Sequence, residues 1–490
     1  MSHESQGERD ESDGASSGWV AHVGLIAGPL VAAALVLGTH PALGHARLTA
    51  PASWTLGLLG WMAIWWMTHA VPMAITSLLP ALLLPLLGVG SFKENAAHYA
   101  DNIIFLFAGA GVVGLALERH GVSERFTRAL LRVAGTSPLG VLCAVFVATM
   151  TISAFMSNAA TTAMMIPLVM GMIAAVQPAE GVGEAQGAVA KRNFAIVLLL
   201  AAAYASTVGG AATIVGSPPN AIAAKYLTDA GTPIDFMTWS RFGAPVALLF
   251  APLVIAVMVR MYPIRGLSLH ALQQQKPRPF AAAGWLSAGI FLATVLVWVT
   301  APLWPAAWKP AQLSDGAVAI AAATLLFVLP AQVRPWTPLM HWRAAERLPW
   351  GVYILFGGGL SLADAMQRTG LSNAIGESFT GLGGLPAIAM LACVVTALVF
   401  ASEIASNTAL TATAVPILGA LAPDLGIPPE RLVIAAAFAA SYAFMMPVGT
   451  PPNAMVYATG LLPHTAMMRM GLALNLIAIV VITLMASWML

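Results

Sequence analysis

Apolar runs of about span length, separated by short polar segments, fill most of the chain. A transmembrane helix needs about 20 mostly apolar residues. Runs that meet or approach this are 19–38, 52–68, 72–90, 102–118, 194–212, 242–262, 283–303, 315–331, 350–366, 429–446 and 466–489. Two further apolar stretches, 138–176 and 385–421, are about twice as long as one span, and each is interrupted in its middle by Ser-Asn. A single helix of that length overshoots a bilayer. A loop at the membrane surface is an odd setting for so short a polar break. The pattern predicts a re-entrant hairpin at each place: helix in, turn at mid-depth, helix out. Backbone of that kind is tolerated at depth only where protein or a water-filled cavity satisfies it. The expected fold is therefore an all-α polytopic membrane protein of about 11 transmembrane helices plus two re-entrant helical hairpins.

The interruptions are copies of one motif. Ser157-Asn158-Ala159-Ala160-Thr161-Thr162-Ala163-Met164-Met165-Ile166-Pro167 returns 249 positions later (157 to 406) as Ser406-Asn407-Thr408-Ala409-Leu410-Thr411-Ala412-Thr413-Ala414-Val415-Pro416. The same offset aligns Phe107-Ala108-Gly109-Ala110 with Phe356-Gly357-Gly358-Gly359, and Glu118-Arg119-His120-Gly121 with Gln367-Arg368-Thr369-Gly370. Each hairpin has a downstream companion, Gly216-Ser217-Pro218-Pro219-Asn220 and Gly449-Thr450-Pro451-Pro452-Asn453, at the shorter offset of 233 (216 to 449).

Charge sets the orientation. With the N-terminus cytoplasmic, most of the 22 Lys and Arg fall on the cytoplasmic side, including Arg119, Arg125, Arg128, Arg132, Lys191, Arg192, Arg260 and Arg265. Arg47, Lys93, Lys225, Arg241, Lys309, Arg368 and Arg431 fall outside. Cytoplasmic excess of Lys and Arg supports this assignment. The two repeats then begin on opposite faces, so they are inverted. Inverted repeats with broken helices are a transporter signature, with the site near the midplane. Trp61, Trp65 and Trp66 fit interface anchors or lipid-facing bulk.

Composition narrows the class without changing this picture. The 490 residues are 59% hydrophobic and only 9% charged, with mean hydropathy +0.82. That is far below the roughly 25% charged of a soluble domain. A net charge of +2 does not suggest nucleic acid. Cys143 and Cys393 lie in apolar runs and fit buried spectators rather than a disulfide framework. The polar, acidic first 18 residues show no cleavable signal pattern and are expected to be a disordered cytoplasmic tail.

The motif's chemistry follows from its breaks. Paired Pro in Gly-X-Pro-Pro-Asn removes backbone donors and clashes with the preceding turn, so the helix must stop there. Upstream carbonyls become available to a cation, and downstream amides face an anion at the new helix start. Ser157 and Asn158 are good N-cap residues, so the return helix can begin there. Ser153 and Ser157, like Ser402 and Ser406, lie four apart, which would put both hydroxyls on one helix face. Two hydroxyls, an Asn carbonyl and freed backbone carbonyls make a neutral oxygen cage suited to sodium. Hydroxyls and helix N-termini suit carboxylate or sulfate. Ser, Thr and Asn also act simply as glue between helices. The matched second copy, with its own break, favours the ligand reading.

With these motifs the chain resembles the divalent anion/sodium symporter family of dicarboxylate, citrate and sulfate carriers. The resemblance runs over about residues 50–489 and rests on the 157–167 and 406–416 segments and both Gly-Ser/Thr-Pro-Pro-Asn breaks. It implies a homodimer, with a scaffold domain and a transport domain that moves as an elevator. Chain length and the absence of a targeting signal suit a bacterial inner membrane. Scaffold helices would come from 19–118 and 242–366, which also hold the repeat starts. Transport segments would come from 138–230 and 385–489, the latter including the last helix. Carried over by position, a first sodium site would use Ser153, Ser157, Asn158 and Gly216, and a second Ser402, Ala405, Asn407 and Gly449. The substrate would meet Ser157, Asn158, Ala159, Ser217, Pro218, Ser406, Asn407, Thr408, Thr450 and Pro451.

Three positions depart from a plain reading. Ala159 stands where the family's first signature has Thr, a lost hydroxyl that Thr161 or Thr162 would have to replace. His69 takes a place where similar sequences have Glu, and reads either as an intramembrane functional group or as a helix cap. Glu403, directly before the second motif, either adds negative potential near the second cation or is structural. Asp315 and Asp364, near helix ends, read as structural. The expected function is sodium-coupled uptake of a C4-dicarboxylate such as succinate, malate or fumarate. Sodium-independent exchange, or citrate or sulfate carriage, is the alternative within transport. A channel is disfavoured by hairpins closing from opposite faces. An intramembrane enzyme is disfavoured because the apolar segments hold no Gly-X-Ser-X-Gly elbow, His-Glu-X-X-His or paired Asp.

Overall fold

A computed structural model describes residues 18–43, 48–269, 281–305, 307, 310, 313–378 and 386–488. The tail expected over 1–18 lies almost wholly outside the described residues. In chain order the helices are α1 (Gly18–Thr39), α2 (Ala50–Thr68), α3 (Met73–Thr76), α4 (Leu79–Leu86), α5 (Phe92–Ala97), α6 (Asn102–Arg119), α7 (Val122–Ala134) and α8 (Pro138–Ser153). They continue as α9 (Asn158–Ala175), α10 (Glu184–Ala212), α11 (Pro218–Asp229), α12 (Phe236–Met261), α13 (Ala282–Thr300), α14 (Asp315–Val328) and α15 (Trp342–Ala345). The last are α16 (Trp350–Arg368), α17 (Leu371–Ser378), α18 (Ala387–Ala401), α19 (Asn407–Leu421), α20 (Pro429–Ser441), α21 (Pro451–Tyr457) and α22 (His464–Trp488). Two short antiparallel strand pairs, 177–178 with 267–268 and 330–332 with 337–338, fasten loops.

The protein is a polytopic α-helical membrane protein. Among the described residues, seven helices are long and apolar enough to cross a bilayer unaided. Polar caps start many of them: Thr49, Ser137, Asp235 and Ser314 each accept a backbone N–H of the following turn. Both long apolar stretches break as expected. α8 and α9 meet across residues 154–157, and α18 and α19 across 402–406. With 16 residues in α8 and 15 each in α18 and α19, these three helices fall short of the about 20 that a full span needs, whereas α9, with 18, is one of the seven.

The chain divides into two compact units. The first comprises residues 1–101, 350–387 and 405–432. In it α2 packs against α1, α4, α16 and α19, and α16 packs against α3, α4, α17 and α19. The run 72–90 is two short helices rather than the single expected span, because Pro80 sits in the first turn of a new helix after Ser77 and Leu78. Trp66 is neither an interface anchor nor lipid-facing. It is fully buried and donates Nε1–H to Ser77 Oγ at 3.2 Å. His69 is the C-cap of α2, with φ 49 and ψ 35. Asp364 holds Arg368 at 2.6 Å and His98 at 3.2 Å.

The second unit comprises residues 102–349, 388–404 and 433–490. Its axis is α10, against which α8, α9, α12 and α21 pack. From Phe194 to Ala212 every residue of α10 is buried. A helix apolar all round belongs in a core, and the stretch from Phe194 to Ala212 fits that rule. α6 packs on α14 and α7, and α12 on α22. Asp315 accepts the backbone N–H of Phe236 at 2.7 Å, tying the starts of α14 and α12. α7 was not expected. It is amphipathic, with Ser123 and Thr127 buried and a Glu124–Arg128 pair on its outer side. A search for unbroken apolar runs passes over such a pattern.

Candidate functional site: polar turns and two broken helices

The first hairpin and the first broken helix lie in the same unit. α8 stops at Ser153, and Ser157 is the N-cap of α9, its Oγ accepting from Ala160 N at 3.3 Å. Ser153 and Ser157 therefore do not share a helix face, contrary to the spacing argument. The turn at 154–157 separates them, and the same holds for Ser402 and Ser406. What Ser153 meets instead is Asn158. Its Oγ lies 2.8 Å from Asn158 Oδ1 and 2.8 Å from the carbonyl of Ser206 on α10, and its single proton serves one of them at a time. Ser157 is exposed, Asn158 and Ala159 half-buried, and Ser153 buried.

Close packing on α10 depends on Gly210. A Cβ there would stand 2.2 Å from Asn158 Oδ1, so only glycine admits this side chain. Thr162 donates to Ser206 Oγ at 2.9 Å and is committed to α10. Thr162 therefore does not replace the hydroxyl missing at Ala159. Thr161 Oγ1 is fully buried and has no hydrogen-bond partner among the described residues.

α10 ends at Ala212, and the chain runs through Thr213 and Gly216 to Ser217, the extended N-cap of α11, with Pro218 in its first turn. Thr213 Oγ1 donates to the carbonyl of Ala154 in the hairpin turn, joining the two breaks directly. Asn220 spans the gap: its Nδ2 donates to Gly210 O at 2.8 Å and Thr213 O at 2.7 Å.

The second broken helix repeats this construction. α20 ends at Ser441 and α21 begins at Pro451, with Thr450 as N-cap accepting from Asn453 N at 3.3 Å. Asn453 Nδ2 donates to Ala443 O at 3.2 Å and Met446 O at 3.1 Å. Those carbonyls sit ten and seven residues before the Asn, as Gly210 and Thr213 do before Asn220. In both copies the Asn Oδ1 is buried without a hydrogen-bond partner among the described residues. An orphaned buried acceptor costs about 1–3 kcal/mol unless something polar meets it, so an oxygen-seeking cation or a water fits each place. Sequence reasoning quoted both Asn residues but gave them no task. The signal was present in the fifth position of each break motif.

Glu403 is buried and lies in this unit with the second break. Its Oε1 accepts from Phe444 N at 2.7 Å, Met445 N at 2.9 Å and Asn475 Nδ2 at 2.7 Å, and its Oε2 from Met446 N at 2.8 Å. Neighbouring Ser402 donates Oγ–H to Val399 O at 2.8 Å. A Cβ added to Gly449 would stand 3.1 Å from Glu403 Oε2, which puts the carboxylate beside that candidate cation ligand. α21 packs on α9 and α10, so the helix carrying Pro451 runs alongside the first hairpin's return helix.

The other predicted residues belong to the first unit. There Ser406 is the N-cap of α19, its Oγ accepting from Ala409 N at 3.5 Å, and Asn407 O accepts from Thr411 Oγ1 at 2.7 Å. Ala405 is buried, and Ser406, Asn407 and Thr408 are half-buried. His69 closes α2 as a left-handed cap, and burial holds its imidazole pKa below the ordinary value. That is the helix-capping reading of this residue. Among the described residues, no three His, Cys, Asp or Glu gather as a metal site. Any cation at the breaks would meet mainly hydroxyl, amide and carbonyl oxygens.

Comparison with known proteins bears on what such an arrangement does. The family model for the citrate transporter matches residues 63–430. The sodium-dependent dicarboxylate transporter SdcS of Staphylococcus saprophyticus is 33% identical over 477 residues, covering 95% of this chain and 91% of that protein. The protein of the same name from Staphylococcus aureus strain RF122 is 33% identical over 476 residues, covering 95% and 90%. Among solved structures, the YdaH transporter of Alcanivorax borkumensis superposes with a TM-score of 0.55 at 16% identity, over 96% of this chain and 97% of that one, a likeness of fold.

Proposed function

The chain belongs to the citrate transporter family and so to the divalent anion/sodium symporters, and from that membership we propose that it is a secondary active transporter. It couples inward sodium movement to uptake of a C4-dicarboxylate such as succinate, malate or fumarate. The observation that carries this reading is the doubled break. Asn220 and Asn453 tie carbonyls at the same two distances back along the chain. Each repeat also carries a serine-capped helix, α9 or α19, that starts directly after a polar turn. Such breaks present backbone dipoles of both signs, which suits a site that must release what it binds.

In this proposal the first sodium ion takes oxygens of Ser153, Ser157, Asn158 and Gly216, and the second those of Ser402, Ala405, Asn407 and Gly449. The substrate carboxylates take Ser157, Asn158, Ser406, Asn407 and Thr408, with Ala159, Ser217, Pro218, Thr450 and Pro451 beside them. A dianion is costly to hold in a dry site, and sodium offsets its charge. Support for sodium comes from the names of the two relatives and from the oxygen-only chemistry of the breaks. We further propose a homodimer in which the hairpin segments 138–230 and 385–489 move as the transport domain against a scaffold of 19–118 and 242–366. The protein acts as a carrier, not as a catalyst of bond breaking.

The test is succinate uptake into proteoliposomes with and without an inward sodium gradient, and with and without internal dicarboxylate. Uptake that needs the gradient and ignores internal dicarboxylate supports symport. Uptake that needs only internal dicarboxylate identifies an exchanger and overturns the sodium assignment.

A further inference from the structure

The two breaks differ in one charged residue. Glu403 has its repeat counterpart at Ala154, 249 positions earlier, which cannot accept side-chain hydrogen bonds. The backbone differs with it. α10 stays helical to Ala212, whereas α20 stops at Ser441, although the downstream offset would place its equivalent end at Met445. The extra unwound residues are 442–445; the amides of Phe444 and Met445 among them, with that of Met446 just beyond, are the three that donate to Glu403. Asn475 supplies the fourth donor from α22, and the Tyr204 hydroxyl donates to Phe444 O at 2.8 Å from α10. Among the described residues, no Lys, Arg or His makes an ion pair with Glu403.

We infer that Glu403 is the fixed internal anion of the second break, a positioning residue that holds Phe444–Met446 unwound and biases Gly449 toward a cation. Glu403 contacts no transported species in this assignment. It acts through the backbone it holds and through its charge. Freed amides at a break attract an anion, and here they are already occupied by the protein's own carboxylate. They are therefore not offered to a substrate carboxylate. The negative charge, shielded only by amide donors, lies beside the Gly449 cation position. A cation there is favoured, and an anion is disfavoured. The second sodium position then binds more tightly than the first, whose corresponding residue is Ala154. The sodium half of this inference rests on the functional reading above. The clamp itself rests on geometry alone.

Full-length protein carrying Glu403→Gln or Glu403→Asp tests both halves. Gln offers one acceptor oxygen and presents an NH2 to amide donors. Glu403→Gln should raise the sodium concentration for half-maximal protection against heat unfolding by about tenfold or more. Succinate KM at saturating sodium should move by no more than about threefold, a split that loss of structure alone would not produce. Hydrogen exchange at Phe444–Met446 should accelerate in both variants. Glu403→Asp keeps the charge on a shorter arm, so its sodium shift should be the smaller one.

If Glu403→Gln does not fold, Glu403→Asp still decides. Wild-type exchange at 444–446 in that variant overturns the clamp. Wild-type sodium dependence in Glu403→Gln overturns the bias toward a cation. Wild-type protein that gains no heat stability from sodium overturns the functional reading and the sodium half together, and the exchange result then judges the clamp.

Discussion

The first and second breaks solve one problem with different chemistry. Both interrupt a buried helix at Gly-X-Pro-Pro-Asn, and both use the Asn amide to gather carbonyls ten and seven residues back. At the first break the neighbouring hairpin turn supplies a backbone carbonyl, Ala154 O, to Thr213 Oγ1. At the second, Glu403 supplies a carboxylate to three amides and Asn475. The Asn is what a broken helix needs in order to exist in a dry core, so it occurs in both copies. The polarity presented beyond it is adjustable, and it is set by the residue next to the hairpin turn.

The largest effect tests the hairpins. Asn158→Ala and Asn407→Ala should each reduce uptake below detection while the purified proteins stay folded. Asn158 sits in a slot made for it, between Ser153 and Gly210. Gly210→Ala should do the same from the opposite wall, because the added carbon would fall 2.2 Å from Asn158 Oδ1. It should also cost about 1–3 kcal/mol of stability through overpacking. Uptake at wild-type rate in any of the three would break the site assignment. Gly210 also sharpens the comparison, since its repeat counterpart is Ala443, which already carries that carbon.

A matched pair of medium effects tests the shared element. Asn220→Ala and Asn453→Ala each remove two bonds to backbone carbonyls. Each should lower stability by about 1–3 kcal/mol, read as a shift in the thermal midpoint in detergent. The two losses should agree to within about 1 kcal/mol. If Asn453→Ala costs much less, Glu403 is holding the second break without help from the Asn, and the equivalence of the two breaks fails.

Much of this architecture was legible in the chain. Apolar run length located the helices, the polar interruptions located the breaks between α8 and α9 and between α18 and α19, and paired Pro located both broken helices. Pro and cap residues act through the local backbone, so their effects survive without knowledge of the fold. What stayed hidden depends on partners distant in sequence. Glu403 presented two open readings, because its donors lie 41 to 43 and 72 positions away. Trp66 looked like an interface residue until Ser77 appeared beside its indole. The pairing of Ser153 with Ser157 failed for the opposite reason. Helical spacing was applied across a turn that the Ser-Asn cap itself creates.

The smallest effect concerns the hairpin tips. Ala159 and Thr408 occupy equivalent positions, and only the second carries a hydroxyl. Thr162 is spent on Ser206 and does not compensate. Ala159 is half-buried at the start of α9, beside exposed Ser157, so a hydroxyl there would enter the polar edge of the tip rather than the core. One hydrogen bond to a substrate oxygen is worth about 0.5–1.5 kcal/mol. Ala159→Thr should therefore lower succinate KM by about two- to tenfold at fixed sodium, and Thr408→Ala should raise it by a similar factor. Under the proposed site assignment the double variant, which exchanges the two tips, should return KM close to that of wild type. If the double variant instead adds the loss of Thr408 without the gain at 159, the tips do not share the substrate equally. The first break would then serve mainly the cation, and the difference between the two breaks would reach past Glu403 into substrate recognition itself.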